Sequence, residues 1–414
     1  MGQGYVGLPL AQALAATGKQ SLVLGFDVTE RVVKNLNAGI SHIDDISDAE
    51  VATAISQGYR ATNLPADIAL ADTAVICVPT PLNEAGEPDL KYVESATRLI
   101  SENLKPGALV ILESTTYPGT TEDLVRPILE EGGRQLDKDF YLAFSPERID
   151  PGNKTFKITN TPKIVGGSSP ESTKRAVAFY TQFIDTVVET VGTREAETAK
   201  LLENTYRHIN IALINEMAIF CHELGIDVWE VVRLASSKPY GFQAFYPGPG
   251  VGGHCIPVDP NYLSYEVKRR VGRPFRFIET ATDINTGMPA YVITRIQDVL
   301  NNSAKALKGS NVLLLGITYK PDIADLRESP SLEVAELLVG KGADVHYFDP
   351  FVDTFTHGGH TFTGEKNLDA ALEAADIVVL LQAHAAYDLD HIKAKSKVIF
   401  DTRGKLSGPN VERL

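Results

Sequence analysis

The sequence predicts an α/β protein in which two doubly wound domains are joined by a central helical domain. Three observations carry that prediction. Short apolar runs alternate with helix-like segments near both ends, a glycine-rich turn opens the first half, and the composition becomes helical between about 194 and 236. With 414 residues the chain is too long for one ordinary core. The expected division is a first domain over 1–190, a central helical domain over 191–304 and a last domain over 305–414.

The bulk composition narrows the function classes. Hydrophobic residues make up 43% and charged residues 22%, the balance of a soluble globular protein. A formal net charge of -14 argues against nucleic acid held by a general basic field, while a local Lys/Arg pocket for a small anion stays open. Cys77, Cys221 and Cys255 are far apart and lack C-x-x-C spacing, so neither a disulfide framework nor a metal site is expected. No apolar run approaches the length of a membrane span, and residues 1–20 lack a signal pattern. A cytoplasmic location without a membrane partner is expected.

The opening "MGQGYVGLPLAQALAATGKQSLVLGFD" carries G-x-G-x-x-G at Gly2, Gly4 and Gly7, then a helix-like stretch and the apolar run "LVLGF" ending in Asp27. Alone, that fingerprint is weak and reads equally as a glycine-rich turn. An acid twenty residues beyond Gly7 stands where a carboxylate accepts hydrogen bonds from a ribose 2′-hydroxyl, which makes the domain Rossmann-like and favours NAD over NADP. The fingerprint should follow a buried strand, yet Met1 directly precedes Gly2. We expect a truncated or mis-started reading frame, because a sheet without its central strand would leave its neighbours' backbone groups unpaired.

Next, "ADTAVICVPTP" (71–81), "ALVILES" (108–114) and "FYLAFSP" (140–146) read as strands of a parallel sheet. Thr80, Thr115 and Glu147 fall at their carboxyl ends, where ligands bind in such sheets. On the helix beyond 194, Lys200, Asn204, Ile211 and Asn215 fall within an arc of about 60° at 100° per residue. Residues 262–304 again look helical, with an interruption near Gly287 and Pro289. In the last third, "NVLLLGITYKPD" ends a strand at Gly316, "SPSLEVAELLVGKGA" reads as a helix, "VHYFDP" ends in Asp349, and "ADIVVLLQAH" echoes "ADTAVICVPTP". This second Rossmann-like domain lacks the full glycine fingerprint and should bind a nucleotide differently.

The densest chemistry lies in "YPGPGVGGHCIPVDP", residues 246–260. Its glycines let the backbone approach a ligand closely and expose Cys255, a good nucleophile toward an aldehyde once its thiolate is stabilised. Lys200 could supply positive charge, and adjacent His254 is a weaker candidate for the same task. The bland alternative for Cys255 is a small buried hydrophobe. Asp259 suits a helix N-cap before Pro260, and its spacing from Cys255 also suits a base. Lys200 and Asn204 read either as a solvated face or as donors to an oxyanion. Glu147 and Thr115 either brace loops or activate water and position substrate. Lys320 and Arg327 in "TYKPDIADLRESP" are either solvated or paired with diphosphate oxygens.

Taken together, "GQGYVGLPLA", "CVPTPLNEAGEPDL", "LESTTYPGTTEDLVRPILEE", "AFSPERIDPGN", "EAETAKLLENTYRHIN", "YPGPGVGGHCIPVDP" and "GITYKPDIADLRESPS" resemble the UDP-glucose/GDP-mannose dehydrogenase family over nearly the whole chain. The details resemble most the branch acting on UDP-N-acetylhexosamines, UDP-N-acetylglucosamine in particular. The resemblance implies two successive NAD-dependent oxidations of a sugar C6 alcohol. Cys255 would capture the aldehyde as a thiohemiacetal that becomes a thioester, Lys200 and Asn204 would stabilise oxyanions, and Asp259, Thr115 and Glu147 would assist proton transfer and water. It places NAD on Gly2, Gly4, Tyr5, Val6, Gly7, Asp27, Arg31, Pro79, Thr80, Thr115 and Arg327. It places the UDP-sugar on Glu147, Arg148, Lys200, Asn204, Tyr246, Gly250, Gly252, Gly253 and Lys320. It also implies a homodimer built on the central helices. UDP-glucose enzymes of this family usually carry an arginine ahead of the glycine loop, where this chain reads "SSKPYGFQAF", which argues against plain UDP-glucose. A two-electron 3-hydroxyacid-type dehydrogenase and a non-catalytic NAD-binding protein are the competing readings; UDP-N-acetylgalactosamine and UDP-N-acetylmannosamine are the competing sugars.

Overall fold

The computed structural model describes every residue except 21, 44, 45, 84, 85, 151, 152, 154 and 254. His254, considered above as a partner for the Cys255 thiol, lies outside the described residues. The chain begins α1 (Gly7–Ala16), β1 (Val23–Phe26), α2 (Glu30–Asn37), α3 (Asp48–Ser56), β2 (Tyr59–Thr62), β3 (Thr73–Ile76), α4 (Lys91–Asn103), β4 (Ala108–Leu112), α5 (Arg126–Glu130), β5 (Phe140–Phe144), β6 (Lys163–Gly167), α6 (Pro170–Tyr180) and β7 (Val187–Glu189). Helices α7 (Thr193–Glu223), α8 (Val228–Ala235), α9 (Asp259–Val271) and α10 (Arg276–Asn302) follow. The last part runs β8 (Asn311–Leu315), α11 (Pro330–Gly340), β9 (Asp344–Phe348), β10 (Thr354–His357), β11 (His360–Thr363), α12 (Leu368–Ala374), β12 (Ile377–Leu380), α13 (Leu389–Lys395), β13 (Ile399–Asp401) and β14 (Val411–Arg413). One compact unit holds residues 1–203 and 261–273, and a second holds 204–260 and 274–414.

In the first unit a five-stranded sheet has the order β3-β4-β5-β6-β7. The run ALVIL of β4 is buried at every position, as a strand covered on both faces must be. The three runs read as strands, β3, β4 and β5, pair parallel as expected; beyond them β6 pairs antiparallel to β5, and β7 returns parallel to β6. Strands β1 and β2 form a separate parallel pair. Met1 reaches both groups, its amine donating to the Val75 carbonyl at 2.9 Å and its carbonyl accepting from Cys77 N at 2.8 Å, while Gly2 N donates to Phe26 O at 2.8 Å. No strand precedes α1 among the described residues, and β1 and β3 each pair on one side only. A cavity of about 310 Å³, lined in part by Leu10, Leu14, Leu24, Val75 and Phe179, lies beside them.

In the second unit five parallel strands take the order β14-β13-β12-β8-β9. Alternation sorts their side chains into two cores. Val312, Leu314, Ile377, Val379 and Phe400 pack with residues of α10 and α11, and Leu313, Leu315, Val378, Leu380 and Ile399 pack with Leu372 of α12 and Ile392 of α13. The β10–β11 hairpin, not foreseen, turns at Gly358 and Gly359, both at positive φ, which is the two-residue turn that matches strand twist.

Helix α10 corrects one expectation. It runs unbroken through Gly287 and Pro289, because Met288, Val292, Ile293 and Ile296 bury one face, and this packing outweighs the local propensities. The break comes earlier, at 272–275, where Gly272 and Pro274 follow α9.

The two halves repeat one local device. Gly2 N donates to Phe26 O, and Asp27 accepts from Gln3 N at 3.0 Å and Thr29 N at 2.9 Å. Correspondingly, Gly316 N donates to Phe348 O, and Asp349 accepts from Ile317 N and Phe351 N, each at 2.8 Å. Only Asp349 also receives a buried histidine, His384, whose Nε2 lies 3.1 Å away.

Candidate active site

The glycine fingerprint of the first unit divides its work by position. Gly2 sits at φ +84°, and a Cβ there would lie 2.7 Å from Cys77 O; a Cβ on Gly7 would lie 1.8 Å from Gly2 O. Both are therefore required by the turn itself. Around Gly4 a Cβ would meet nothing within 4 Å, so its open side is available to a ligand. Helix α1 starts beside it with Val6 as N-cap and no side chain capping the first turn; Leu8 N donates to Gly4 O at 3.2 Å and Pro9 has no N–H, which narrows an anion's partners to the start of the helix. Tyr5 packs on the apolar core, Arg31 is exposed in the first turn of α2, and the Asp27 carboxylate is held by backbone N–H groups at the end of β1. The turn, helix terminus and acid fit an NAD pyrophosphate and ribose.

Thr80 and Pro79 follow β3, and the Tyr262 hydroxyl from α9 donates to the carbonyls of Thr80 at 3.0 Å and Pro81 at 3.2 Å, pinning that rim. Thr115 follows β4 and is half-buried. Beyond β5, Glu147 is brought to Lys200, whose Nζ donates to its carbonyl oxygen at 2.6 Å. Burial raises the Glu147 carboxyl above its ordinary range, opposed by Lys200 and by the N–H groups of Ile149 and Arg148. The adjacent Arg148 guanidinium is engaged within this unit, donating to Glu203 at 2.6 Å and to Pro162 O at 2.7 Å.

The second unit carries the glycine loop. Gly253 N donates to Arg327 O at 3.0 Å, and Gly252 and Gly253 lie so close to Tyr319 that a Cβ on either would meet its side chain at 2.6–2.7 Å. A Cβ on Gly250 would lie 2.9 Å from Pro330. Cys255, two residues beyond Gly253, is exposed. Its carbonyl accepts from Asp259 N at 2.8 Å, forming the turn into α9. Asp259 is the first residue of that helix, with Pro260 second, and its buried carboxylate accepts from Asn204 Nδ2 at 2.5 Å. Thus Asn204, Asp259 and Cys255, 55 positions apart at the extremes, occupy one neighbourhood. Tyr246 is largely exposed and stacks on Trp229. Lys320 lies after β8, and Arg327 forms an ion pair with Asp325 at 2.6 Å.

Sequence reasoning missed several buried polar groups. Glu113 and Lys163 form a fully buried ion pair in the first unit, with the Cys77 thiol 3.4 Å from Glu113. In the second unit, Asn215 donates to Asn285 and accepts from Gly248 N of the loop. Asn215 gave one signal, its place in the arc with Lys200 and Asn204; the others gave none, because their partners are distant in sequence. Among the described residues no cluster of His, Cys, Asp and Glu could hold a metal, and no helix is long and apolar enough to cross a membrane.

The dinucleotide turn of one unit and the exposed cysteine beside the buried Asn–Asp pair of the other belong, by the comparisons that follow, to an NAD-dependent nucleotide-sugar dehydrogenase. The chain belongs to the UDP-glucose/GDP-mannose dehydrogenase family: the family's NAD-binding domain matches residues 1–184, its central domain 194–287 and its UDP-binding domain 313–408. It is 37% identical over 99% of its length to an NDP-N-acetyl-D-galactosaminuronic acid dehydrogenase from Ralstonia nicotianae, covering 96% of that protein. It is also 37% identical over 94% of its length to a UDP-N-acetyl-D-mannosamine dehydrogenase from Escherichia coli K12, covering 93% of that protein. Among solved structures it resembles a UDP-N-acetyl-mannosamine dehydrogenase from Pyrococcus horikoshii, at 33% identity and a TM-score of 0.89, with 100% of this chain and 97% of that one covered. The enzyme is an NAD-dependent UDP-sugar 6-dehydrogenase.

Proposed function

We propose that the enzyme oxidises the C6 alcohol of UDP-N-acetylmannosamine to the uronic acid through a cysteine-bound intermediate. The observation that carries this reading is the Asn204–Asp259 hydrogen bond one helical turn beyond Cys255, a charge-assisted contact that fixes a base and a donor beside a nucleophile. NAD, held at the turn of Gly2, Gly4 and Gly7 and at Asp27, would supply the hydride acceptor for both oxidations of C6. After the first, the Cys255 thiolate adds to the aldehyde carbon, giving a thiohemiacetal. Loss of the second hydride and the hydroxyl proton leaves a thioester, and water then releases the carboxylate and returns the thiol. Lys200 and Asn204 steady the oxyanions as donors. Glu147, with a carboxyl raised by burial, and Asp259 move protons and orient water, with Thr115 positioning the sugar.

The remaining residues take the roles that the resemblance suggests. Gly2, Gly4, Tyr5, Val6, Gly7, Asp27, Arg31, Pro79, Thr80 and Arg327 serve NAD; Arg148, Tyr246, Gly250, Gly252, Gly253 and Lys320 serve the UDP-sugar. The mannosamine assignment is supported by the names of the Escherichia coli relative and the Pyrococcus structure, and the Ralstonia relative favours the N-acetylgalactosamine sugar as a second reading. None of these three names the N-acetylglucosamine expected from sequence. A homodimer is supported by an exposed apolar stripe on α7, formed by Tyr206, Leu213, Met217 and Phe220 at helical spacing. A cytoplasmic site of action suits an enzyme that needs Cys255 reduced.

The test is the number of NADH formed per UDP-sugar consumed, with the N-acetylmannosamine, N-acetylgalactosamine, N-acetylglucosamine and glucose sugars compared. Two NADH from the mannosamine sugar support the assignment, and two from another sugar alone replace it. One NADH per sugar, or unchanged turnover in Cys255→Ser, removes the thioester step.

A further inference from the structure

The glycine loop is held from beneath by a chain of buried side chains to which the catalytic scheme gives no role. Asn215 on α7 is fully buried, and its Oδ1 accepts the Gly248 N–H at 3.0 Å. Its Nδ2 donates to Asn285 Oδ1 on α10 at 2.9 Å. Asn285, also buried, donates from Nδ2 to the His208 carbonyl at 3.2 Å, with His208 Nδ1 at 3.3 Å, and His208 Nε2 faces Thr282 Oγ1 at 3.2 Å. The backbone of Asn285 meets the loop as well. Its carbonyl would stand 3.3 Å from a Cβ on Gly250, and Pro289, four residues on, has no N–H to give that carbonyl.

The direction of every amide follows from one end of this chain. Because the His208 carbonyl can only accept, the Asn285 nitrogen must face it and the Asn285 oxygen must face Asn215. Asn215 then turns its nitrogen to Asn285 and is left with an oxygen for the loop. Two apolar side chains would join α7 and α10 without the cost of burying two amides. What the amides add is a fixed acceptor for one backbone N–H, seven residues before Cys255. The Gly253–Arg327 contact fixes the loop a second time, two residues before the cysteine.

We propose that Asn215 is a positioning residue, which sets the register of residues 246–255 against α7 and so aims Cys255. This rests on the reading of Cys255 as the nucleophile. The experiment compares the full-length enzyme with Asn215→Leu, which removes the acceptor, and Asn215→Asp, whose carboxyl, kept protonated by burial, accepts from Gly248 N with one oxygen and donates to Asn285 Oδ1 with the other. Amide hydrogen exchange reads the loop without reference to catalysis, and steady-state kinetics with the preferred UDP-sugar reads its consequence.

In Asn215→Leu, exchange in peptides covering 246–255 should rise at least tenfold while peptides from β8 and β9 stay unchanged. Its kcat should fall at least tenfold with KM moved less than about threefold, and Asn215→Asp should recover most of both losses. Unchanged exchange in the loop overturns the proposal. So does a loosened loop with normal kcat, or a uniform rise in exchange throughout the unit, which would mark Asn215 as merely structural. If the unaltered enzyme turns over no UDP-sugar, the functional reading fails separately, and the exchange comparison still supports or overturns the clamp.

Discussion

Substituting Gly253 by alanine tests whether the loop conformation is as tightly specified as its contacts imply. Gly253 has φ +87°, and an added Cβ would lie 2.7 Å from Tyr319 Cε2, with two more ring atoms at 3.1 and 3.2 Å. The left-handed backbone alone costs an L residue about 1–2 kcal/mol. Crowding against a ring in a packed site adds about 1–3 kcal/mol. The total of about 2–5 kcal/mol has two outlets: the second unit loses that stability, or the loop leaves Tyr319 and breaks the Gly253–Arg327 bond. Thermal unfolding reads the first outlet, as a fall of at least ~4 °C for a unit of this size. The rate of Cys255 alkylation by iodoacetamide reads the second, as a change of at least about tenfold for ~1.4 kcal/mol of opening. Cys255→Ser supplies the blank. Gly253→Ala with Tm within a degree of the parent and the same alkylation rate would refute the reasoning.

Two further predictions concern the first unit. Removing one partner of the buried Glu113–Lys163 pair strands the other charge, so Glu113→Gln should cost about 3–5 kcal/mol in urea unfolding, whereas Glu113→Leu combined with Lys163→Met should recover most of it; a single-variant cost under about 1 kcal/mol would contradict this. Burial holds Glu197 up at about 7 against the hydroxyl and N–H of Thr121 and the N–H of Gly119, from an ordinary value of 4.5. The folded state therefore keeps this proton longer than the unfolded chain, and the associated stability is complete below the unfolded value and lost as pH rises through about 7. The loss is about 3 kcal/mol, and Glu197→Gln should flatten the profile between pH 5 and 8. An equally steep fall in both proteins would assign it to other groups.

What was legible in the sequence was local. The apolar runs ending at Phe26, Leu112 and Leu315 became strands, and the four-residue spacing of Lys200 and Asn204 put both on one helix. Short elements with weak apolar signals, such as β7 and the β10–β11 hairpin, were not legible, because their pairing partners decide them. Gly287 and Pro289 were read as a break because punctuation is visible in a sequence and the buried face around Met288 is less so. The site divides in the same way. Cys255 and Asp259 are four apart and could be read together, but the bond from Asn204 to Asp259 and the one from Asn215 to Asn285 span 55 and 70 residues. The bonds of the Arg148 guanidinium to Glu203 and Pro162 were likewise out of reach, because they span 55 and 14 residues.

The carboxylate brace repeated at Asp27 and Asp349 has a consequence for how the two halves meet a nucleotide. Each acid is oriented by two backbone N–H groups, one from its own turn and one from the glycine turn of the preceding element, so a ribose reaching Asp27 would find an acceptor that loses little further rotamer freedom on binding. Asp349 has the same orientation but lies under the His384 imidazole, in contact with that ring instead of with solvent. One backbone solution thus serves twice, holding an acid ready for the ribose role proposed for Asp27 in the first half and as a structural strut in the second.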